Sequence, residues 1–94
     1  MKLKWRPMAL EDRIAIQDYI AQDNPIAAIE LDMDFEDRAE KARQRPTLYP
    51  LSKRMPGKRE IVVRPNYVMI YHFDETTLEI LRVVHAAQKW PTKE

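Results

Sequence analysis

The sequence predicts an α+β fold in which one strand precedes two helices and three further strands follow (β-α-α-β-β-β). Residues 8–43 carry helix-spaced apolar side chains that are interrupted only near Asn24 and Pro25. Residues 59–85 carry three runs rich in β-branched and aromatic residues, separated by short turns. These observations predict an N-terminal strand, an antiparallel helical hairpin and a three-stranded antiparallel meander. The length of 94 residues fits a single domain spanning 1–94.

The N-terminal strand is predicted at residues 2–6, where charged and apolar side chains alternate. This alternation turns Leu3 and Trp5 inward. Pro7 ends the strand and suits the start of a helix, which we place at residues 8–22. Arg13 falls on the apolar stripe of that helix, so we expect its methylene stem to pack while its guanidinium reaches solvent.

The second helix is predicted at residues 25–43. Asn24 is a suitable cap and Pro25 a suitable first helical residue, and Pro46 prevents the helix from continuing. Because only a few residues join the two helices, they should be antiparallel neighbours.

The second half of the chain begins with a loop at residues 46–58, which holds three prolines and the only glycine. Strands are predicted at residues 59–64, 67–73 and 78–85. The tail at residues 86–94 is too short to form another packed element.

Charge is distributed unevenly along the chain. Residues 1–40 hold five Lys or Arg against ten Asp or Glu, whereas residues 41–94 hold eleven against five. A basic C-terminal half suits an anionic partner such as nucleic acid. Two solvated surfaces of opposite sign are the alternative.

Several classes of protein are excluded by composition and motif. The absence of cysteine excludes disulfides, and two histidines without zinc-site spacing predict no metal site. The sequence has no phosphate loop, dinucleotide fingerprint or nucleophile elbow, so we expect no cofactor. No apolar run approaches the roughly 18 residues of a membrane span, and the N-terminus lacks a signal peptide. We therefore expect a cytoplasmic protein with no membrane contact.

Four segments resemble, in order, the RelE/ParE superfamily of toxins from type II toxin–antitoxin systems. The resemblance covers nearly the whole chain and is closest to RelE/StbE-like toxins, which are plasmid-borne (plasmid stabilisation) or chromosomal. The segments are Trp5-Arg6-Pro7 with the following helix, Pro56-Gly57-Lys58-Arg59-Glu60-Ile61, the hairpin at residues 63–71, and Val83-Val84-His85 with Gln88-Lys89-Trp90-Pro91.

The resemblance implies a growth-arresting toxin that a cognate antitoxin neutralises in a hetero-oligomer. RelE-like members cleave mRNA in the ribosomal A site, whereas ParE-like members inhibit DNA gyrase without cleaving RNA. RelE carries an arginine where this chain has Val68, and a basic pair where it has His85-Ala86-Ala87. Our first expectation is a metal-independent, ribosome-dependent mRNA endoribonuclease that inhibits translation, and the alternative is a non-enzymatic gyrase inhibitor. The antitoxin segment is expected to be acidic or amphipathic, and to wrap the hairpin or the basic sheet face.

Two residues are predicted to carry the catalysis of a ribonuclease. His85 ends the last strand, and histidine is the side chain best suited to act as an acid or base at physiological pH, so it is the acid or base candidate. The alternative is a structural histidine at a strand end. Arg82 interrupts an apolar strand and would bind the scissile phosphate. The alternative is a salt bridge to Glu79, to Glu60 or to an antitoxin carboxylate.

A further set of residues is predicted to bind the RNA backbone or its bases, or to form a solubilising or antitoxin-binding face. Trp90 in the tail is the better base-stacking candidate, because Tyr71 shares an aromatic strand face that is typical of a core. The predicted nucleic-acid residues are Lys53, Arg54, Lys58, Arg59, Arg64, Lys89 and Trp90.

Overall fold

The computed structural model describes residues 1–88. Its element order confirms the predicted β-α-α-β-β-β pattern, and every predicted boundary lies within one residue of the observed one. The elements are β1 (Lys2–Trp5), α1 (Pro7–Ala21), α2 (Pro25–Gln44), β2 (Arg59–Val63), β3 (Tyr67–Phe73) and β4 (Thr77–His85).

The four strands form one sheet in the order β1-β4-β3-β2. Strands β2, β3 and β4 form the predicted antiparallel meander. Strand β1 pairs with β4 in parallel, from Lys2 opposite Thr77 to Trp5 opposite Ile80. The parallel pairing was not predicted, because it joins strands that are separated by most of the chain and no short-range pattern encodes it.

The helical hairpin is fixed by a cap at Asn24 and by ion pairs of Arg13 with Asp32 and Glu36. The side chain of Asn24 accepts a hydrogen bond of 3.1 Å from the Ala27 N–H, which confirms the predicted cap. Arg13 donates to both carboxylate oxygens of Asp32 on α2, at 2.8 and 2.7 Å, and its guanidinium lies 4.4 Å from the ring centroid of Trp5. The expectation that this guanidinium reaches solvent was wrong, because α2 places a carboxylate directly against it.

The main core lies between the helical hairpin and one face of the sheet. Phe35 on α2 and Tyr71 on β3 are its largest fully buried side chains. The Tyr71 hydroxyl donates to the Pro46 carbonyl oxygen at 2.7 Å, and burial raises the pKa of this phenol. The interpretation of Tyr71 as a core residue is confirmed.

The opposite face of the sheet is covered along part of its area by the loop at residues 46–58. Val68, Ile70, Leu81 and Val84 form a second apolar cluster there, against which Met55 packs. A buried carboxylate holds the adjoining part of the loop. It belongs to Glu60, and its oxygens accept hydrogen bonds from the Ser52 hydroxyl, the Lys53 N–H and the Arg54 guanidinium. No helix within residues 1–88 has the length and apolarity needed to cross a bilayer.

Truncation of Phe35 tests the main core. Phe35→Ala should lower the free energy of unfolding by about 3–5 kcal/mol, because it leaves a cavity between α2 and the sheet. Urea denaturation followed by circular dichroism measures the loss. Met33→Ala is the matched control on the same helix, since Met33 is 62% exposed, and it should change stability by less than about 0.5 kcal/mol. Equal losses in both variants would contradict this placement of the core.

Candidate functional site

A groove of about 290 Å³ lies between α1 and the C-terminal part of β4. Strand β1 ends at Trp5, opposite Ile80, so within residues 1–88 the rest of β4 has no strand on that side. Helix α1 packs against this part of β4 and forms the other wall of the groove. The groove is lined by Asp12, Ala15, Ile16, Tyr19, Tyr67, Val83, Val84, His85 and Gln88.

His85 lies at the mouth of this groove as the last residue of β4. Its ring makes an edge contact with Tyr67, the residue opposite it on β3, with 5.3 Å between ring centroids. The Nδ1 atom accepts a hydrogen bond of 3.1 Å from the Ala87 N–H. In the neutral ring the proton therefore sits on Nε2, and the side chain is exposed. In that form the Nε2–H of His85 can donate one hydrogen bond.

Arg82 is held against α1 by Asp12. Its Nε and one terminal nitrogen donate to the two carboxylate oxygens at 2.8 and 3.1 Å, and the Val83 N–H donates to the same carboxylate at 2.9 Å. The side chains of Arg82 and Asp12 are each 17% exposed. The expected partners Glu79 and Glu60 were wrong, because they bind other residues.

A β-bulge interrupts the pairing of β4 beside Arg82. The register between β3 and β4 shifts at Ile70 and Tyr71, so that Arg82 lies opposite Ile70 while Ile80 lies opposite Tyr71. Leu81 is therefore the extra residue of β4. Asp12 was not predicted as the partner of Arg82, because the two residues lie 70 positions apart in the chain and nothing local links them.

Two of the predicted phosphate-binding arginines are paired with carboxylates. Arg54 donates to Glu60 and to the Ala86 carbonyl oxygen, each at 3.0 Å. Arg64 adopts a positive φ of 51° in the turn after β2 and donates to Asp34 on α2 at 2.8 Å. Both guanidiniums thus hold elements of the fold together.

The remaining predicted cations are placed differently. Arg59 donates to the Tyr49 carbonyl oxygen at 2.7 Å, and the ammonium of Lys58 lies 3.1 Å from Nδ1 of His72. The ammonium of Lys53 has no ion pair or hydrogen bond within residues 1–88. Lys89 and Trp90 lie outside the described residues.

The predicted site residues therefore lie at two ends of the sheet. His85 and Arg64 flank Tyr67 at one end, whereas Arg59 lies opposite Tyr71. The separation of four residues along β3 corresponds to roughly 13 Å. Arg59 and His85 do not converge on a single phosphate group.

A row of polar side chains crosses the sheet at the end that holds Arg59. Lys4 on β1 lies opposite Glu79 on β4, which lies opposite His72 on β3, and Lys58 follows beside it. Glu79 accepts hydrogen bonds of 2.8 Å from Nε2 of His72 and 3.1 Å from Arg6. The hydrogen bond from His72 lowers the pKa of Glu79 below its usual value. Partial burial acts in the opposite direction, and the Arg6 guanidinium lowers the pKa further. The sequence analysis did not identify this row.

Comparison with known proteins decides the family. The model of the ParE toxin of type II toxin–antitoxin systems (parDE) matches residues 3–90. A relative, Toxin RelE2 of Caulobacter vibrioides, is 35% identical over 86 residues, which is 89% of this chain and 93% of that protein. The chain belongs to the ParE toxin family. It is thus a toxin of the RelE/ParE superfamily, and its membership implies a cognate antitoxin as partner.

Solved structures confirm the fold of this ParE-family toxin. A chain of the chromosomal ParDE system from P. aeruginosa superposes with a TM-score of 0.78 at 24% identity, covering 90% of this chain and 95% of that one. A YoeB/ParE toxin from Agrobacterium tumefaciens superposes with a TM-score of 0.64 at 16% identity, and the match covers 90% of this chain and 98% of that one. At these identities the likeness is one of fold.

Removal of the Asp12 carboxylate tests its contact with β4. Asp12→Ala should lower the free energy of unfolding by about 2–4 kcal/mol, because it leaves a largely buried guanidinium and a strand N–H without their acceptor. Asp18→Ala on the same helix, at an exposed position, is the matched control and should change stability by less than about 0.5 kcal/mol. A double-mutant cycle with Arg82→Ala should give a coupling of about 1–3 kcal/mol. If the stability losses of the two single variants simply add up in the double variant, this would argue against the ion pair.

Acid titration tests the hydrogen bond to Glu79. A lowered pKa in the folded state means that Glu79 stabilises the toxin above its usual pKa of 4.5, and that this contribution is lost as pH falls through the folded value. Carboxyl NMR should therefore give a midpoint below 4.5. In His72→Leu the midpoint should rise, while His72→Gln, which can still donate, should retain part of the shift. An unchanged midpoint in His72→Leu would remove the assigned cause.

Proposed function

We propose that this toxin arrests growth by binding DNA gyrase as a non-enzymatic inhibitor. One observation carries the proposal: Arg82, the residue expected to stabilise a scissile phosphate, donates from Nε and one terminal nitrogen to the two carboxylate oxygens of Asp12. The match to the ParE family supports the same mode of action, since ParE-like toxins inhibit gyrase.

The charge of Arg82 is compensated before any ligand arrives. Metal-independent RNA cleavage needs a base, an acid and cations within reach of one phosphate. To contact phosphate, Arg82 would have to exchange a bidentate, largely desolvated carboxylate for it, and this exchange would leave Asp12 facing the incoming anion. The contact favours a structural role for Arg82 over a catalytic one.

The groove beside His85 has the chemistry of a protein-docking surface. Tyr19 on α1 is 75% exposed at its rim, while Ile16 and Val83 line its interior. Exposed aromatic side chains beside apolar pockets are the usual high-affinity contacts of protein interfaces. We assign this groove to gyrase, with Tyr19 as the main contact.

A ribosome-dependent ribonuclease is the second candidate function. The observation that favours it is the exposed side chain of His85 beside the aromatic ring of Tyr67, because histidine is the usual acid or base of such a reaction. In that mechanism a base would activate the ribose 2′-hydroxyl, and mRNA in the ribosomal A site would be the substrate. Arg64 would then act on the RNA backbone at the same end of the sheet as His85, and Arg59 at the other end.

The antitoxin is proposed to cover the outer face of the helical hairpin with an amphipathic segment. This face exposes large apolar side chains that a partner can bury. They are Ile14 at 59%, Ile26 at 70%, Ile29 at 57% and Met33 at 62% exposure.

Two assays separate the candidate functions. In a supercoiling assay the purified toxin should inhibit gyrase, and Tyr19→Ala should weaken inhibition by about tenfold or more, as expected for a central aromatic contact. Ile26→Ala, which removes an equally exposed apolar side chain from α2, is the matched control and should inhibit as the wild type does. Gyrase that keeps full activity in excess toxin would eliminate the first proposal.

The second assay follows mRNA in a translation extract. Under the gyrase proposal no A-site cleavage should appear with wild-type toxin. Cleavage that is present in the wild type and lost in His85→Ala would instead support the ribonuclease.

A further inference from the structure

Helix α2 is apolar on two opposite sides. One side packs into the core and holds the buried side chains of Leu31 and Phe35. The other side faces outward and exposes Ile26, Ile29 and Met33, which follow one another at helical spacing. The solvated side of a helix normally carries polar residues, so a second apolar side indicates a surface that a partner covers.

Helix α1 adds a fourth exposed aliphatic side chain to this surface. Arg13 donates to Asp32 across the two helices, while Asp12 on the preceding position faces β4. The residue after Arg13 is Ile14, which therefore points away from the sheet. The same ion pair brings Ile14 and Met33 to the same level of the helical hairpin. We call these four exposed side chains the hairpin stripe: Ile14, Ile26, Ile29 and Met33.

Carboxylates border the hairpin stripe on both helices. Residues three and four positions apart are neighbours on a helix surface. Ile14 has Glu11 and Asp18 at those distances, and Met33 has Glu30. All three carboxylates are exposed, and none of them has an ion pair or a side-chain hydrogen bond within residues 1–88. The apolar surface is thus framed by negative charges that no described side chain neutralises.

The helical hairpin supplies almost no cations of its own. Residues 7–37 contain nine Asp or Glu against a single basic residue, Arg13. The Arg13 guanidinium is engaged by Asp32 and Glu36, at 2.7 and 3.6 Å. This excess of negative charge opposes a second copy of the chain on the stripe, because two identical acidic surfaces repel each other across a two-fold interface. It equally opposes the acidic antitoxin segment that the sequence analysis left open.

We propose that the hairpin stripe receives a basic amphipathic helix of the cognate antitoxin, whose apolar side chains cover the stripe and whose lysines or arginines meet the carboxylates beside it. The stripe runs for about 10 Å from Ile26 to Met33, which matches two turns of such a helix. Recognition of a helix by an apolar surface uses contacts at helical spacing, and opposite charges at the rim select the partner. This inference rests on the proposed placement of the antitoxin on the helical hairpin and adds the sign of its charge.

Two synthetic helical peptides test the charge preference on the full-length toxin alone. Each has roughly 18 residues, or five helical turns, with leucines on one side and either lysines or glutamates on the other. In fluorescence anisotropy at about 50 mM salt the lysine peptide should bind about tenfold more tightly, and screening at about 500 mM salt should shrink the difference. Equal affinities, or tighter binding of the glutamate peptide, would overturn the proposal.

Charge reversal on the toxin tests the sign with the antitoxin itself. Glu30→Lys should weaken binding of the cognate antitoxin and of the lysine peptide by about threefold or more at low salt. Glu75→Lys is the matched control, because it reverses an exposed carboxylate in the turn before β4, and it should leave both affinities unchanged. Tighter antitoxin binding by Glu30→Lys would overturn the proposal in favour of an acidic segment. An equal loss in Glu75→Lys would reduce the effect to net charge and refute the site.

An apolar variant separates this inference from the proposed placement of the antitoxin. Ile26→Ala removes a side chain of the stripe without changing any charge, so it should weaken antitoxin binding by about tenfold. If Ile26→Ala weakens binding while Glu30→Lys does not, the antitoxin lies on the helical hairpin and only its inferred charge is wrong. If neither variant affects the antitoxin, the placement fails and this inference fails with it. Both variants should still inhibit gyrase, which keeps that proposal separate.

Sedimentation of the toxin alone tests a second copy as the occupant. The wild-type toxin should show no self-association that Ile26→Ala abolishes, because the carboxylates beside the stripe repel their own copies. A dimer of the wild type that Ile26→Ala dissociates would assign the stripe to a second toxin molecule and overturn the proposal.

Discussion

The carboxylate of Asp12 joins α1 to β4 just beyond the point where β1 ends. Strand β1 ends opposite Ile80. Further along β4, the Asp12 carboxylate accepts hydrogen bonds from the Arg82 guanidinium and from the Val83 N–H. A strand N–H that would otherwise lack an acceptor is thereby satisfied. The groove beside His85 exists because a helix, and not another strand, occupies this position. The wall of the groove, the placement of Arg82 and the exposure of His85 all depend on that substitution.

Most arginines of this toxin act as internal connectors. Arg13 joins the two helices, Arg64 joins the β2–β3 turn to α2, and Arg54 joins the loop to Glu60 and to the segment after β4. Bidentate guanidinium contacts suit this role because they fix orientation as well as distance. A basic C-terminal half therefore does not translate directly into a basic binding surface.

The division of the sheet into two ends separates two kinds of chemistry. Near Tyr67 the surface is apolar and aromatic, with Tyr19 strongly exposed. Near Phe73 it is polar and cationic, with Glu79 and His72 satisfied by each other. One small domain thus carries an apolar surface at one end of its sheet and a polar surface at the other.

The sequence by itself determined the element order, the caps and the family resemblance, because these depend on residues that are close together in the chain. Asn24 and Pro25 define a helix start wherever they occur in such a pattern, and the β-branched runs specify strands through local alternation. Only the tertiary structure decided which charged side chains from distant parts of the sequence form ion pairs. The parallel pairing of β1 with β4 and the contact between Asp12 and Arg82 join residues that are 70 or more positions apart, and the bulge at Leu81 lies within the β3–β4 hairpin. A single inserted residue in β4 changes which side chains share a face, and no short-range pattern records it.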